Sequence, residues 1–413
     1  MTTHSPTLAI DEAVQDRRLA GKTVLHLGFG EAGLPVPAGL VDVLAAAGEH
    51  NSYGPVVGSA AARDAAAGWF TRRGLVTEPD QIIFGPGSKP LLFALLACIG
   101  GDVVLPQPAW VSYAAQATLL NRRVISVPIP AGAGGVPDPD RLELALGEAE
   151  SRGARPGVLV LTIPDNPTGT IASVDHLQQV CEIAERHGLG IICDEIYAEL
   201  CHSGTAPSAT TYLPERSVVT TGLSKSLALG GWRIGYARTP DSNWGRQLHR
   251  DLTGVASEVW SSLSAPMQSV AAHVLRDPPD ILSHIAAARR LHARVAAAVH
   301  SQLISTGIRC RRPQAGFYLY PDFAPRQQAL SERGITTSTR LAAEMLDQLD
   351  IAVLPGTAFG EPEINLTIRV ATSLLYGTTV DQRRAALSAQ EPEQLPWIAG
   401  ALIHLGRLQS LVT

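Results

Sequence analysis

Missing from this 413-residue chain is any long apolar run. The best candidate, Leu91 to Ile99, is about half of the ~18 residues that a membrane span needs. A run of one charge is missing as well. Charged residues make up 17% of the chain and the net charge is −5, so no arm or helix offers the basic face that a nucleic acid requires. Five cysteines, Cys98, Cys181, Cys193, Cys201 and Cys310, are odd in number and never form a CxxC pair. That argues against a disulfide framework or a zinc site and for reduced, mostly buried thiols. Met1 to Asp16 has neither the basic start nor the apolar core of a secretory signal, and there are no internal repeats. These absences predict a soluble cytoplasmic protein without membrane, nucleic-acid or metal partners.

What is present is aliphatic: 45% of the residues are hydrophobic, enough for a sizeable interior. A chain this long predicts a large domain with a smaller companion. The stretch that organises it runs from Thr220 to Tyr236. Ser217-Val218-Val219-Thr220 is a short β-branched run of the kind that forms a buried strand, so Lys225 leaves a strand end on a turn. A loop lysine taken alone is most often a solvated surface charge; an amine kept mostly neutral among apolar and small neighbours is instead a Schiff-base nucleophile, and the adjacent hydroxyls with Arg233 suit a phosphate.

Other strand ends carry chemistry too. Gln81 to Phe84 turns through Gly85-Pro-Gly-Ser88-Lys89 into a helix, where backbone N–H groups and the helix dipole form an anion site. Asp102 to Leu105 leads to Pro106-Gln-Pro-Ala-Trp110, whose indole offers a flat face for an aromatic ring; a core tryptophan is the alternative. Val158 to Ile163 is a continuous apolar run, as in a parallel strand covered on both faces, and ends in Pro164-Asp-Asn166-Pro-Thr-Gly169. Gly190 to Cys193 ends at Asp194, a carboxylate whose burial is costly unless a cation or a helix N-terminus answers it. Arg369 stands alone among the apolar residues of 365–373; a buried guanidinium needs an anion, either a ligand or a structural salt bridge. Gly28-x-Gly30-x-x-Gly33 after a β-like run is formally a dinucleotide fingerprint. Pro35 and Pro37 disrupt the helix that such a loop must open, which leaves glycines that let the backbone approach a ligand.

Ser224-Lys225 followed by Gly231-Trp-Arg-Ile-Gly-Tyr236, together with Asn166-Pro-Thr-Gly169 and Asp194-x-x-Tyr197, resembles the class I and II aminotransferases, pyridoxal-phosphate enzymes of fold type I. The resemblance covers about Leu25 to Tyr376. It implies an α/β fold with a mostly parallel seven-stranded sheet in a large domain (48–290). A smaller α/β domain would be built from the N-terminal segment (1–47) and the C-terminal part (291–413). It implies pyridoxal 5'-phosphate held as a Schiff base by Lys225, with the phosphate on Ser88, Ser224 and Arg233; Lys89, unusual at its position, would either add a charge to the phosphate or point to solvent. Asp194 would face the pyridine nitrogen, Tyr197 and Asn166 the ring oxygen, and Trp110 the ring face. Gly30, Asn166, Trp110 and Arg369 would meet the substrate, with Arg369 on its α-carboxylate. Tyr53, in the pattern Tyr53-x-x-x-x-Gly58, would reach the phosphate in the other subunit of a homodimer with shared sites, unless it is a buried tyrosine satisfied within its own chain.

The implied reaction moves the amino group of an L-amino acid to a 2-oxo acid by a ping-pong route. The alternative keeps the cofactor and changes the fate of the carbanion to elimination, cyclisation or oxidation. Two departures from the family pattern stand out. Gly222 occupies a position where some members carry a phosphate-binding serine, so that Ser224 or Thr221 must serve. No arginine is placed in 260–264, which disfavours a dicarboxylate substrate.

Overall fold

The computed structural model describes residues 6–413. Twelve strands follow one another among the described residues. They are β1 (Leu25–His26), β2 (Ile82–Pro86), β3 (Asp102–Gln107), β4 (Val124–Pro128), β5 (Pro156–Thr162), β6 (Gly190–Asp194), β7 (Ser217–Gly222), β8 (Ile234–Arg238), β9 (Tyr318–Leu319), β10 (Ile351–Ala352), β11 (Leu354–Pro355) and β12 (Ile368–Ala371). Seven of them form one sheet in the order β2-β8-β7-β6-β5-β3-β4, in which only β8 runs against its neighbours. Val158 to Leu161 and Ile191 to Cys193 are buried on both faces, because helices cover the sheet above and below. The fold is α/β with a seven-stranded, mostly parallel sheet.

Local chemistry sets the helix ends. Ser59 accepts from the Ala62 N–H and Ser173 from the His176 N–H, so the helices Ala60–Arg72 and Val174–Arg186 begin on hydroxyl caps. A long helix begins at Pro279 and runs to Ser305. Proline is tolerated there because the first helical N–H has no intrahelical acceptor to lose. The segment 36–47 gives only the helix Leu40–Ala46, since Pro35, Pro37 and the left-handed Gly39 (φ 78°) delay its start.

The long helix also changes core along its length. Ile281 and Ile285 pack with the large sheet, whereas Ala288 through Leu303 pack with Leu25, Leu27 and Leu34 from the N-terminal segment and with β9, β10 and β12. The N-terminal segment and the last third of the chain therefore share one apolar interior. β1 pairs in parallel with β10, and β12 is flanked by β11 and β9 in an antiparallel sheet of three. Glycines 28, 30 and 33 precede no helix until Leu40, which removes the dinucleotide reading. No helix among the described residues is long and apolar enough to cross a membrane.

Candidate active site

A cavity of about 470 Å³ opens at the carboxyl ends of β3, β5, β6 and β7. Crevices at that edge are where parallel sheets gather ligand groups, because loops from neighbouring strands converge there. Its walls include Gly30, Ser88, Lys89, Trp110, Asn166, Asp194, Tyr197, Ser224, Lys225, Arg233 and Arg369. Tyr53 is not among them: it lies 81% exposed in the loop before the helix Ala60–Arg72, so it is no buried tyrosine of its own chain.

Lys225 follows β7 and sends its Nζ to the Gly30 carbonyl at 2.5 Å. The whole chain has three lysines, and two of them, Lys89 and Lys225, line this cavity. Asp194 ends β6 and is 3% exposed. One oxygen accepts from the Tyr113 hydroxyl at 2.7 Å and the other from the Ile196 N–H at 3.3 Å. Burial pushes its carboxyl up to about 6, a rise that those two hydrogen bonds and the Lys225 charge only partly offset. Among the described residues no cation forms an ion pair with it.

The second end of the cavity is a cradle. Gly87 has φ 91°, and a Cβ there would stand 2.3 Å from the Arg233 guanidinium. Gly235 on β8 presses on Gly87 just as closely, with its would-be Cβ 2.3 Å from the Gly87 carbonyl carbon. Only glycine lets the turn before the helix Ser88–Ile99 lie this near to Arg233, so an anion can sit between backbone N–H groups and a guanidinium. Gly222 is glycine for a similar reason: a side chain would meet the Ile234 carbonyl at 2.6 Å. Thr221 is committed elsewhere, to the Glu195 carbonyl at 3.4 Å, whereas Ser224 lines the cavity.

Arg369 on β12 is 1% exposed. It donates to the Gly28 carbonyl at 2.6 Å and to Asn166 Oδ1 at 3.3 Å, and its Nε has no partner. The guanidinium lies 4.7 Å over the Tyr318 ring and 5.0 Å over Phe359. No carboxylate among the described residues pairs with it, so its counter-charge has to come from a ligand.

Four residues of the site carry no sequence signal strong enough to single them out: Tyr113 and Thr162, which hold Asp194 through a shared hydroxyl chain (2.7 Å each), Tyr318, and Leu8 of the helix Pro6–Leu19 on the cavity wall. Tyr113 lies three residues after Trp110 at the start of the helix Val111–Leu119, a spacing that puts both rings on one side, 5.2 Å apart and edge to face.

An amine, a buried carboxylate without a cation and an anion cradle around one cavity define an enzyme that fastens an aldehyde-bearing aromatic phosphate. The model of the family described as aminotransferase class I and II matches residues 23–375. Aspartate aminotransferase of Geobacillus stearothermophilus is 30% identical, covering 90% of this chain and 93% of the relative. An aspartate/prephenate aminotransferase of Thermus thermophilus is 28% identical over 93% and 94% of the two chains. The solved structure of Thermus thermophilus aspartate aminotransferase with maleate superimposes with a TM-score of 0.81, at 27% identity, over 93% of this chain and 95% of the other.

This chain belongs to the aminotransferase class I and II family. It is a pyridoxal-phosphate-dependent transaminase of fold type I, which transfers an amino group from an amino acid to a 2-oxo acid. The cavity fits that cofactor on its own terms: Asp194 lacks the cation that a pyridinium would supply, and the glycine cradle leaves room for a phosphate beside Arg233.

Proposed function

We propose that the enzyme works on acidic amino acids and that it acts as a cytoplasmic homodimer whose sites borrow Tyr53 from the partner subunit. Lys89 carries the substrate reading. Its ammonium lies 5.2 Å over the Trp110 ring, and burial, then Arg233, then Lys225 lower its proton affinity. A cation so crowded by cations is relieved by an anion, and a second carboxylate on the substrate would be that anion. It would also take the place of the arginine that 260–264 lacks. Several relatives are named for aspartate, and maleate, the molecule in the Thermus thermophilus structure, is a dicarboxylate.

When bound, the cofactor supplies an aldehyde that links to amines and a protonated ring that accepts electrons. The rest is the work of the chain. Arg369, with Asn166 against it, binds the α-carboxylate and fixes which substrate bond faces the ring. The Lys225 Nζ moves the proton at the substrate α-carbon. Asp194, braced by Tyr113, keeps the proton on the ring nitrogen. Tyr197 would donate to the ring oxygen, Trp110 would cover the ring face, and Ser88, Ser224 and Arg233 would hold the phosphate.

The dimer reading draws on a surface: Tyr53 is 81% exposed, Ser262 donates to its carbonyl, and Val259, at the end of the helix Asn243–Val259, is 64% exposed. The reduced state expected in the cytoplasm agrees with five free cysteines. An amino-donor screen read by cofactor absorbance tests the substrate. Aspartate or glutamate should convert the chromophore at lower concentration than alanine, leucine or phenylalanine, and Lys89→Ala should raise the KM for the acidic donor by roughly tenfold or more while sparing neutral donors. Equal effects on both classes would reject the acidic assignment.

A further inference from the structure

Tyr318 stands on β9 between two segments of the site and takes part in both. Its hydroxyl is 3.0 Å from the Tyr197 hydroxyl, and the two rings meet edge to face with centroids 5.6 Å apart. The same ring lies under the Arg369 guanidinium at 4.7 Å. It also dictates Gly30, where a Cβ would fall 2.3 Å from the Tyr318 oxygen. Both tyrosines are buried, at 3% and 2% exposure. A phenylalanine would meet the packing and the contact with Arg369 equally well, so only the hydrogen bond calls for a tyrosine.

The direction of that bond follows from counting protons. Each phenol has one proton to give. The contact of the Tyr318 hydroxyl with the Gly30 carbonyl is long, at 3.4 Å, against 3.0 Å to the Tyr197 hydroxyl. The better acceptor for Tyr318 is therefore the Tyr197 oxygen. With that lone pair filled, the Tyr197 proton is free to point into the cavity. Tyr197 keeps this proton, since burial holds its phenol well above the usual range. A hydroxyl that accepts one hydrogen bond donates the next more strongly, because the bonds polarise each other.

We propose that Tyr318 is a positioning residue for the transamination: its hydroxyl donates to Tyr197 and sets how strongly Tyr197 donates to the oxygen on the cofactor ring. This rests on the reading that Tyr197 faces that oxygen. The oxygen competes for a proton with the nitrogen that joins the cofactor to Lys225. A strong donor satisfies the oxygen and lets the nitrogen release its proton at lower pH. Weakening the donor raises the pH of release.

The test is a pH titration of the visible absorbance of the loaded enzyme, for wild type, Tyr318→Phe, Tyr197→Phe and the double variant. Tyr318→Phe should raise the midpoint by roughly half a unit to one unit, and Tyr197→Phe by more than about one. The double variant should match Tyr197→Phe within about 0.2 unit, because Tyr318 acts only through Tyr197. Tyr318→Phe should lower kcat about three- to tenfold and leave KM for the amino acid unchanged, since the ring beneath Arg369 remains. Tyr318→Leu, which also removes the ring, should raise KM in addition. If Tyr197→Phe moves the midpoint and Tyr318→Phe does not, or if the two shifts add in the double variant, the inference fails and the role of Tyr197 stands. If Tyr197→Phe leaves the midpoint unchanged, the role of Tyr197 falls and the inference falls with it.

Discussion

At the scale of single residues, charges without partners carry the account. Asp194 has a folded-state affinity for its proton above that of the unfolded chain, up at about 6 against an ordinary 3.8. Its contribution to apoprotein stability is thus fully present below pH ~4 and is lost as the pH rises through ~6, a change of roughly 2–3 kcal/mol. Asp194→Asn has no charge to bury, so apoprotein urea midpoints of wild type and variant should diverge in favour of the variant between pH 4 and pH 7. A constant difference would contradict the burial. Arg369→Lys loses the planar fork but keeps the charge, and the KM for the amino donor should rise about 10- to 100-fold with little change in apoprotein melting. An unchanged KM would remove Arg369 from the carboxylate. Much of this was legible, because Lys225, Asn166, Asp194 and Arg369 sit in short motifs at strand ends. Tyr113 and Tyr318 were not: their partners Asp194 and Tyr197 lie 81 and 121 residues away along the chain, and a lone tyrosine on a strand or a first helical turn reads as core.

At the scale of elements, the site depends on two backbones touching. The turn at Gly87 and strand β8 at Gly235 are closer than any side chain permits, and that closeness puts Arg233 beside the N–H groups of the Ser88 helix. Gly87→Ala meets both a left-handed φ and the guanidinium, so it should weaken retention of the phosphate cofactor at least about tenfold while Lys225 stays reactive. Dialysis of the loaded variant with absorbance readings measures this, and wild-type retention would show that no anion uses the cradle. Gly235→Ala collides with backbone instead of a movable side chain and should cost about 2 kcal/mol or more of fold stability, seen as a lower melting temperature of the apoprotein. The parallel strands could be read from their apolar runs and the helix starts from Ser59 and Ser173. The start of the long helix could not, because Asp277-Pro-Pro279 reads as a break, although Pro279 is its first residue. The helix Pro6–Leu19 escaped too: only Val14 is buried along it, so its apolar pattern is faint.

At the scale of the whole molecule, the N-terminal segment and the last third of the chain fold into one interior, and the long helix joins it to the large sheet. The cavity lies between elements of both, with Gly30, Tyr318 and Arg369 on one side and Asp194, Tyr197 and Lys225 on the other. The proposed homodimer gives a sharp complementation test. Neither Lys225→Ala nor Tyr53→Ala alone should show full activity, but subunits mixed under exchange conditions should regain roughly a quarter of the wild-type rate, because half of the dimers are mixed and each has one intact site. Recovery no greater than the sum of the two parents would show that Tyr53 serves its own subunit or none.

The most direct measurement concerns where the cofactor is attached. With only three lysines in the chain, protein saturated with pyridoxal phosphate, reduced with borohydride and digested gives an unambiguous map. The account predicts the pyridoxyl label on Lys225, and no label together with an unchanged circular dichroism spectrum in Lys225→Ala. A label on Lys89 or Lys22, or an unlabelled wild-type protein, would contradict it.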